Sequence, residues 1–168
     1  NAGGRYWRLI KSFPSYFSST AGATGSSTEK IKLVPLEDVH FLISCFSSNL
    51  FYWFWRISSN CRHLTEREFD AFTIMNNVNV VAKKEIFCKL AKKYEINLAE
   101  TAVRLTTNNV RTGVIHQDSY RVSHSKLILD EIDIELKEAL SMTAEELDFV
   151  VNYDIKYRMG QGVEDNDD

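Results

Sequence analysis

Apolar residues recur at helical steps over one long stretch. Between Glu37 and Ser58, Val39, Leu42, Ile43, Phe46, Leu50, Trp53, Phe54 and Ile57 follow at intervals of three, one, three, four, three, one and three. That is the stripe of a helix with one face in a core, and it predicts a single buried aromatic helix with Trp53 pointing inward. The segment Val39–Ile57 is also the most apolar of the chain. Ser44, Ser47, Ser48, Asn49 and Arg56 interrupt it, whereas a bilayer span needs roughly 20 predominantly apolar residues, so no membrane helix is expected.

Shorter patterns flank this helix. Residues 4–11 mix basic and aromatic side chains and read as a strand, and Ile31–Val34 reads as a second, closed by Pro35. Residues 15–28, almost all small and polar, read as a loop. Thr65-Glu66-Arg67-Glu68 has the spacing of a capping box and predicts a short helix to about Ala71. Ala82–Tyr94 reads as a helix with a lysine-rich outer face, and residues 98–106 as another short helix. Val110–Ile115 and Ser119–Val122 read as a strand pair. Ser125 is placed to cap a helix to Leu140, and Thr143-Ala144-Glu145-Glu146 a last one to about Tyr157. The acidic tail 161–168 is expected to be disordered. The sum is an α+β chain: a small mixed or antiparallel sheet, a long buried aromatic helix and a helical C-terminal part. Residues 1–76 are expected to hold the sheet and the aromatic helix, and residues 77–160 to complete the same domain.

Charge adds an asymmetry that composition hides. The net charge is −3, yet residues 1–112 carry 15 Lys/Arg against 9 Asp/Glu, and residues 113–168 carry 5 against 14. A basic first part suits an anionic polymer, and the acidic remainder is expected to pack elsewhere or face solvent. Cys45, Cys61 and Cys88 form no C-x-x-C pair and suit reduced thiols in a cytoplasmic protein. The start lacks the basic and apolar regions of a secretory signal, and Asn1-Ala2 before Gly3-Gly4 reads as an engineered junction, so the chain is taken as a piece of a longer polypeptide.

Chemistry-bearing motifs are sparse. Neither Pro14 nor Pro35 belongs to an Asn/Asp-Pro-Pro-aromatic motif, and no Gly-rich nucleotide loop follows a strand. His40, His63, His116 and His124 lack metal-ligand spacing. Asp130, Glu131, Asp133, Glu135 and Lys137 are the nearest approach to a nuclease cluster, but they share one helix and read better as its solvated face. No catalytic or metal-binding residue is assigned.

Two segments carry a resemblance. The first is Ser48-Asn49-Leu50-Phe51-Tyr52-Trp53-Phe54-Trp55-Arg56, continued by Cys61-Arg62-His63-Leu64-Thr65-Glu66-Arg67-Glu68 and Phe72-Thr73-Ile74. It resembles the specificity-domain helix, and the arginine-histidine-leucine loop after it, of TaqI-like restriction–modification proteins. The second is Ser125–Asp133 with Glu146–Gly160, which resembles the extreme C-terminus of bacterial type IIG and related adenine-specific DNA methyltransferases.

The resemblance implies a target-recognition domain that binds double-stranded DNA and works with an upstream methyltransferase domain of the same polypeptide. That parent would methylate adenine from S-adenosylmethionine and possess or lack an endonuclease activity; this chain would hold no cofactor. A methyltransferase flips its target base out of the duplex, and the recognition domain reads neighbouring base edges, Arg or Lys suiting guanine and Asn or Gln suiting adenine. On that basis Lys11, Lys30, Lys32, Arg62 and His63 are the candidate phosphate contacts. Arg5, Arg8, Asn60, Asn108, Asn109, Arg111 and Gln117 are the candidate base readers. The alternative left open is a helical module that docks on the methyltransferase or another subunit without reading DNA.

Overall fold

The computed structural model describes residues 9–21, 34–61, 64–110 and 113–155. In chain order these residues form β1 (Phe17–Ser19), α1 (Val39–Ser47), α2 (Asn49–Ser58), α3 (Glu66–Ala71), α4 (Val78–Ala82), α5 (Lys84–Glu100), β2 (Val103–Asn109), β3 (Gly113–Ser119), α6 (Lys126–Leu140) and α7 (Ala144–Asn152). The three strands form one antiparallel sheet in the order β1-β3-β2. The fold is therefore α+β with a small antiparallel sheet and a helical C-terminal part.

The aromatic stretch is buried, but as two helices. Ser48 adopts an extended conformation (ψ 155°), its Oγ accepting from the Phe51 amide at 3.0 Å and donating to the Cys45 carbonyl at 2.7 Å. One hydroxyl thus ends α1 and caps α2. The buried carboxylate of Asp133, on α6, then accepts from the Asn49 amide at 3.0 Å, the Asn49 side-chain amide at 2.7 Å and the Leu50 amide at 3.3 Å. First-turn amides have no partner within their own helix, and a carboxylate there also meets the positive end of the helix dipole.

The break resets the helical phase, which corrects the expected stripe. In α2 the buried aromatics are Phe51, Tyr52 and Trp55; Leu50, Trp53 and Phe54 are half-buried, and Ile57 is exposed.

Two apolar clusters make up the interior. Phe41, Ile43 and Cys45 of α1 pack with Phe87, Ala91, Tyr94 and Leu98 of α5 and with Leu129, Ile132 and Leu136 of α6. Phe46, Phe51, Tyr52, Trp55, Leu64 and Phe72 form the second around α2. Ile10 packs against both, so the segment before β1 is fixed to the helical body.

Other boundaries differ from the pattern. The helix expected at Ala82–Tyr94 is α4 and α5, divided at Lys83 and running to Glu100. It stops where the Thr101 hydroxyl turns back to the Asn97 carbonyl at 2.7 Å. The helix expected over 98–106 is not formed; β-branched Val103, Thr106 and Thr107 lie in β2 instead. The strand pair sits earlier than expected, as β2 and β3, and Phe17–Ser19 is a strand within the stretch read as loop. Residues 9–11 and Val34 are not in strands, while the remainder of both expected strands lies outside the described residues. The last helix ends at Asn152, because Tyr153 is extended and Asp154 takes a left-handed φ of 50°. The tail 161–168 lies outside the described residues. Both capping boxes, at Thr65 and Thr143, are formed. The sheet joins β1 to strands from beyond residue 76, so it spans both expected parts.

Candidate nucleic-acid interface

The β2–β3 hairpin begins just past α5 and ends just before α6. At its base Phe13 and Tyr120 meet edge to face at 6.0 Å. Beyond that contact the three strands pack mainly on one another, and among the described residues no helix forms a layer over the sheet. Every described side chain of β2 is exposed, and among the described residues β2 has a strand partner on one edge alone. The hairpin turns between Asn109 and Gly113. Gly113 has φ +69°, and a Cβ there would lie 2.3 Å from Thr20 Oγ1, which accepts the Val114 amide at 2.9 Å. Only glycine fits both constraints.

Strand alternation gives the sheet two faces. Register places Val103, Leu105 and Thr107 with Ser119, Gln117 and Ile115, and Phe17 beside Gln117. The opposite face carries Arg104, Thr106 and Asn108 with Asp118, His116 and Val114, and Ser18 beside His116. This second face is the polar one. Thr106 Oγ1 and His116 Nδ1 are 2.9 Å apart. Arg104 donates from Nε and Nη2 to Asp118 Oδ1, at 2.9 and 2.8 Å, and its guanidinium carbon lies 3.7 Å from the Tyr16 ring centroid.

Of the residues singled out from sequence, Asn108, Asn109 and Gln117 come together on this hairpin. Asn108 and Gln117 nevertheless belong to opposite faces, so one flat surface does not present both. Asn60 is exposed in the turn after α2, on a different part of the fold. Lys11 donates to the Phe13 carbonyl, and its ammonium lies 4.7 Å from the Phe13 ring and 5.3 Å from that of Tyr120. It secures the base of the hairpin. Arg5, Arg8, Lys30, Lys32, Arg62, His63 and Arg111 lie outside the described residues. Arg104 was missed because its segment read as a helix; the alternation of Arg104, Thr106 and Asn108 with Val103 and Leu105 was the available signal.

The charged helices are largely satisfied by one another. Lys83 reaches Glu135 at 2.7 Å and Glu138 at 2.5 Å, and these hydrogen bonds hold its ammonium above the ordinary lysine value. Lys84 pairs with Asp38, Lys89 with Glu85, and Lys93 with Glu131. On α6, Asp130 pairs with Lys126 and Asp133 caps α2. The acids once gathered as a nuclease cluster therefore act as partners to helices. Among the described residues no group of three or more His, Cys, Asp or Glu is placed to hold a metal, and no helix is long and apolar enough to cross a membrane. Burial pushes the Cys45 thiol up to about 12, which keeps it protonated.

Comparison of the chain with family models, curated proteins and solved structures gives no match.

Proposed function

We propose that this chain is a DNA target-recognition domain, acting for a cytoplasmic restriction–modification adenine methyltransferase whose catalytic part lies elsewhere. The observation that carries the proposal is a hairpin with one polar face that no helix covers among the described residues. A sheet normally buries a face against another layer; a hairpin standing clear of the helices is free to enter a groove. DNA-binding proteins that read with β-ribbons or β-sheets place strands in a groove, and because β1 lines the outer edge of β3 at Ile115–Gln117, β2 is the edge of this three-stranded sheet that would lead. Seven residues in each strand at about 3.4 Å per residue give a ribbon long enough to follow several base steps. Arg104, Thr106, Asn108 and His116 supply donors and acceptors along it.

The test is duplex binding by the 168-residue chain across a salt series. Log affinity is expected to fall linearly with log salt, by roughly 0.9 per neutralised phosphate. Absence of duplex binding at low salt overturns the proposal. S-adenosylmethionine belongs to the parent's catalytic part in this scheme, so the chain alone is expected to transfer no methyl group.

One observation favours docking as a second role. A cleft of about 680 Å³ between α2 and α7 is lined by Trp53, Phe54, Phe72, Met142 and Phe149. Large apolar patches of this kind mark protein contacts, and the upstream methyltransferase domain is its proposed occupant. Phe149→Asp is then expected to weaken that association while leaving duplex binding intact; equal association of parent and variant overturns the docking role.

A further inference from the structure

We infer that Arg104 reads a guanine, held ready by Tyr16 and Asp118; the inference rests on the hairpin being the DNA-reading surface. A guanidinium has a side-on edge, Nε with one Nη, and an end-on edge formed by the two Nη atoms. Asp118 Oδ1 takes the side-on edge. Nη1 has no partner among the described residues, so the end-on edge faces outward with two parallel donors. The N7 and O6 acceptors of guanine in the major groove match such a pair.

Three features set this pair apart from an ordinary surface ion pair, in which two long side chains stay free and little is gained. Asp118 is itself fixed: its Oδ2 accepts the Tyr16 amide at 3.2 Å and its side chain is 15% exposed. The Tyr16 ring supports the guanidinium from one side, and the Tyr16 hydroxyl is 3.3 Å from Ser18 Oγ. Arg104 remains 52% exposed despite both contacts. Its rotamer is therefore restricted before any ligand arrives, while no described residue covers its second edge. Restricting a flexible side chain in advance removes an entropy cost that binding would otherwise incur. Thr106 and Asn108 continue the same face toward the turn, so a guanine on Arg104 fixes where the neighbouring bases fall.

The experiment is selection of duplexes from a randomised double-stranded pool by the 168-residue chain and by Arg104→Lys. Lysine keeps the charge and loses the planar fork. The parent is expected to recover duplexes with a fixed guanine, and 7-deazaguanine at that position should weaken binding about 5- to 150-fold. Arg104→Lys should keep the salt dependence and lose the fixed guanine. Asp118→Asn should relax preference at the same position alone. An Arg104→Lys chain that recovers the parent's sequences overturns the inference, as does a parent that binds duplex with no fixed guanine. Failure of the parent to retain any duplex overturns the DNA-reading proposal itself, so the two failures are distinct.

Discussion

Asp133 shows why some decisive residues cannot be found by local pattern. It lies 84 residues from Asn49, and its own helix gives no sign that its carboxylate is buried against another helix's first turn. Ser48, by contrast, is a helix-capping residue type, and its role was open to inference from sequence. Replacing Asp133 with Ala leaves the Asn49 and Leu50 amides without their acceptor, a loss on the order of 3 kcal/mol for buried donors. A urea midpoint well below the parent's is the expected outcome, and equal midpoints would show that water serves those amides equally well. Glu68 offers a test in pH. Burial acts to raise its carboxyl, but hydrogen bonds from the Thr65 hydroxyl and amide outweigh that and hold it below the ordinary value of 4.5. A carboxylate depressed by folding stabilises above the unfolded value and loses that contribution as pH falls. The stability gap between the parent and Glu68→Gln should therefore be widest above about pH 4.5 and shrink in more acid solution. A gap that does not change with pH would place the benefit in shape and not in charge.

At the scale of elements, helices were more legible than strands, for a physical reason. Capping boxes at Thr65 and Thr143 are local, reciprocal hydrogen bonds whose residues lie three apart, so the sequence displays them directly. The β2 side chains are exposed on both faces, so burial does not enforce a long alternation, and the one present, Val103 and Leu105 against Arg104 and Thr106, is short. The α2 helix was recognised with the wrong face inward, since its phase depends on the break at Ser48. That error has a measurable consequence. Trp55 is 2% exposed within the second cluster, whereas Trp53 borders the open cleft. Trp55→Ala is expected to cost about 3–5 kcal/mol and Trp53→Ala clearly less. The reverse order in thermal or urea unfolding would restore Trp53 as the core tryptophan. In the hairpin, Gly113→Ala meets a left-handed φ and the Thr20 hydroxyl together. It should lower stability by about 1–2 kcal/mol from the backbone alone, and hydrogen exchange should rise in β3 before it rises in α5.

At the scale of the whole molecule, the described helices set basic residues of the first part of the chain against acidic residues of the second. α5 and α6 lie side by side, and Lys83 and Lys93 face Glu135, Glu138 and Glu131 across that seam. The charge of Lys83 and Lys93 is therefore answered within the protein, so a count of charge per segment does not by itself locate a surface. Sheet geometry is a better guide, because two residues a few positions apart in register can point to opposite sides. Asn108 shares its face with Arg104 and Thr106, while Gln117 lies with Leu105 and Phe17. A groove wall contacts one face of a ribbon closely. If the polar face is the one that enters, Asn108→Ala removes a donor–acceptor pair suited to adenine and should cost about 1–3 kcal/mol at one base position. Gln117→Ala, equally exposed and equally able to pair with adenine, should leave affinity and preference unchanged. The comparison isolates geometry from residue type, since both substitutions delete a carboxamide from the same hairpin. Duplex binding that depends on Gln117 and ignores Asn108 would mean that the apolar face meets the DNA, and Arg104 would then point away from it.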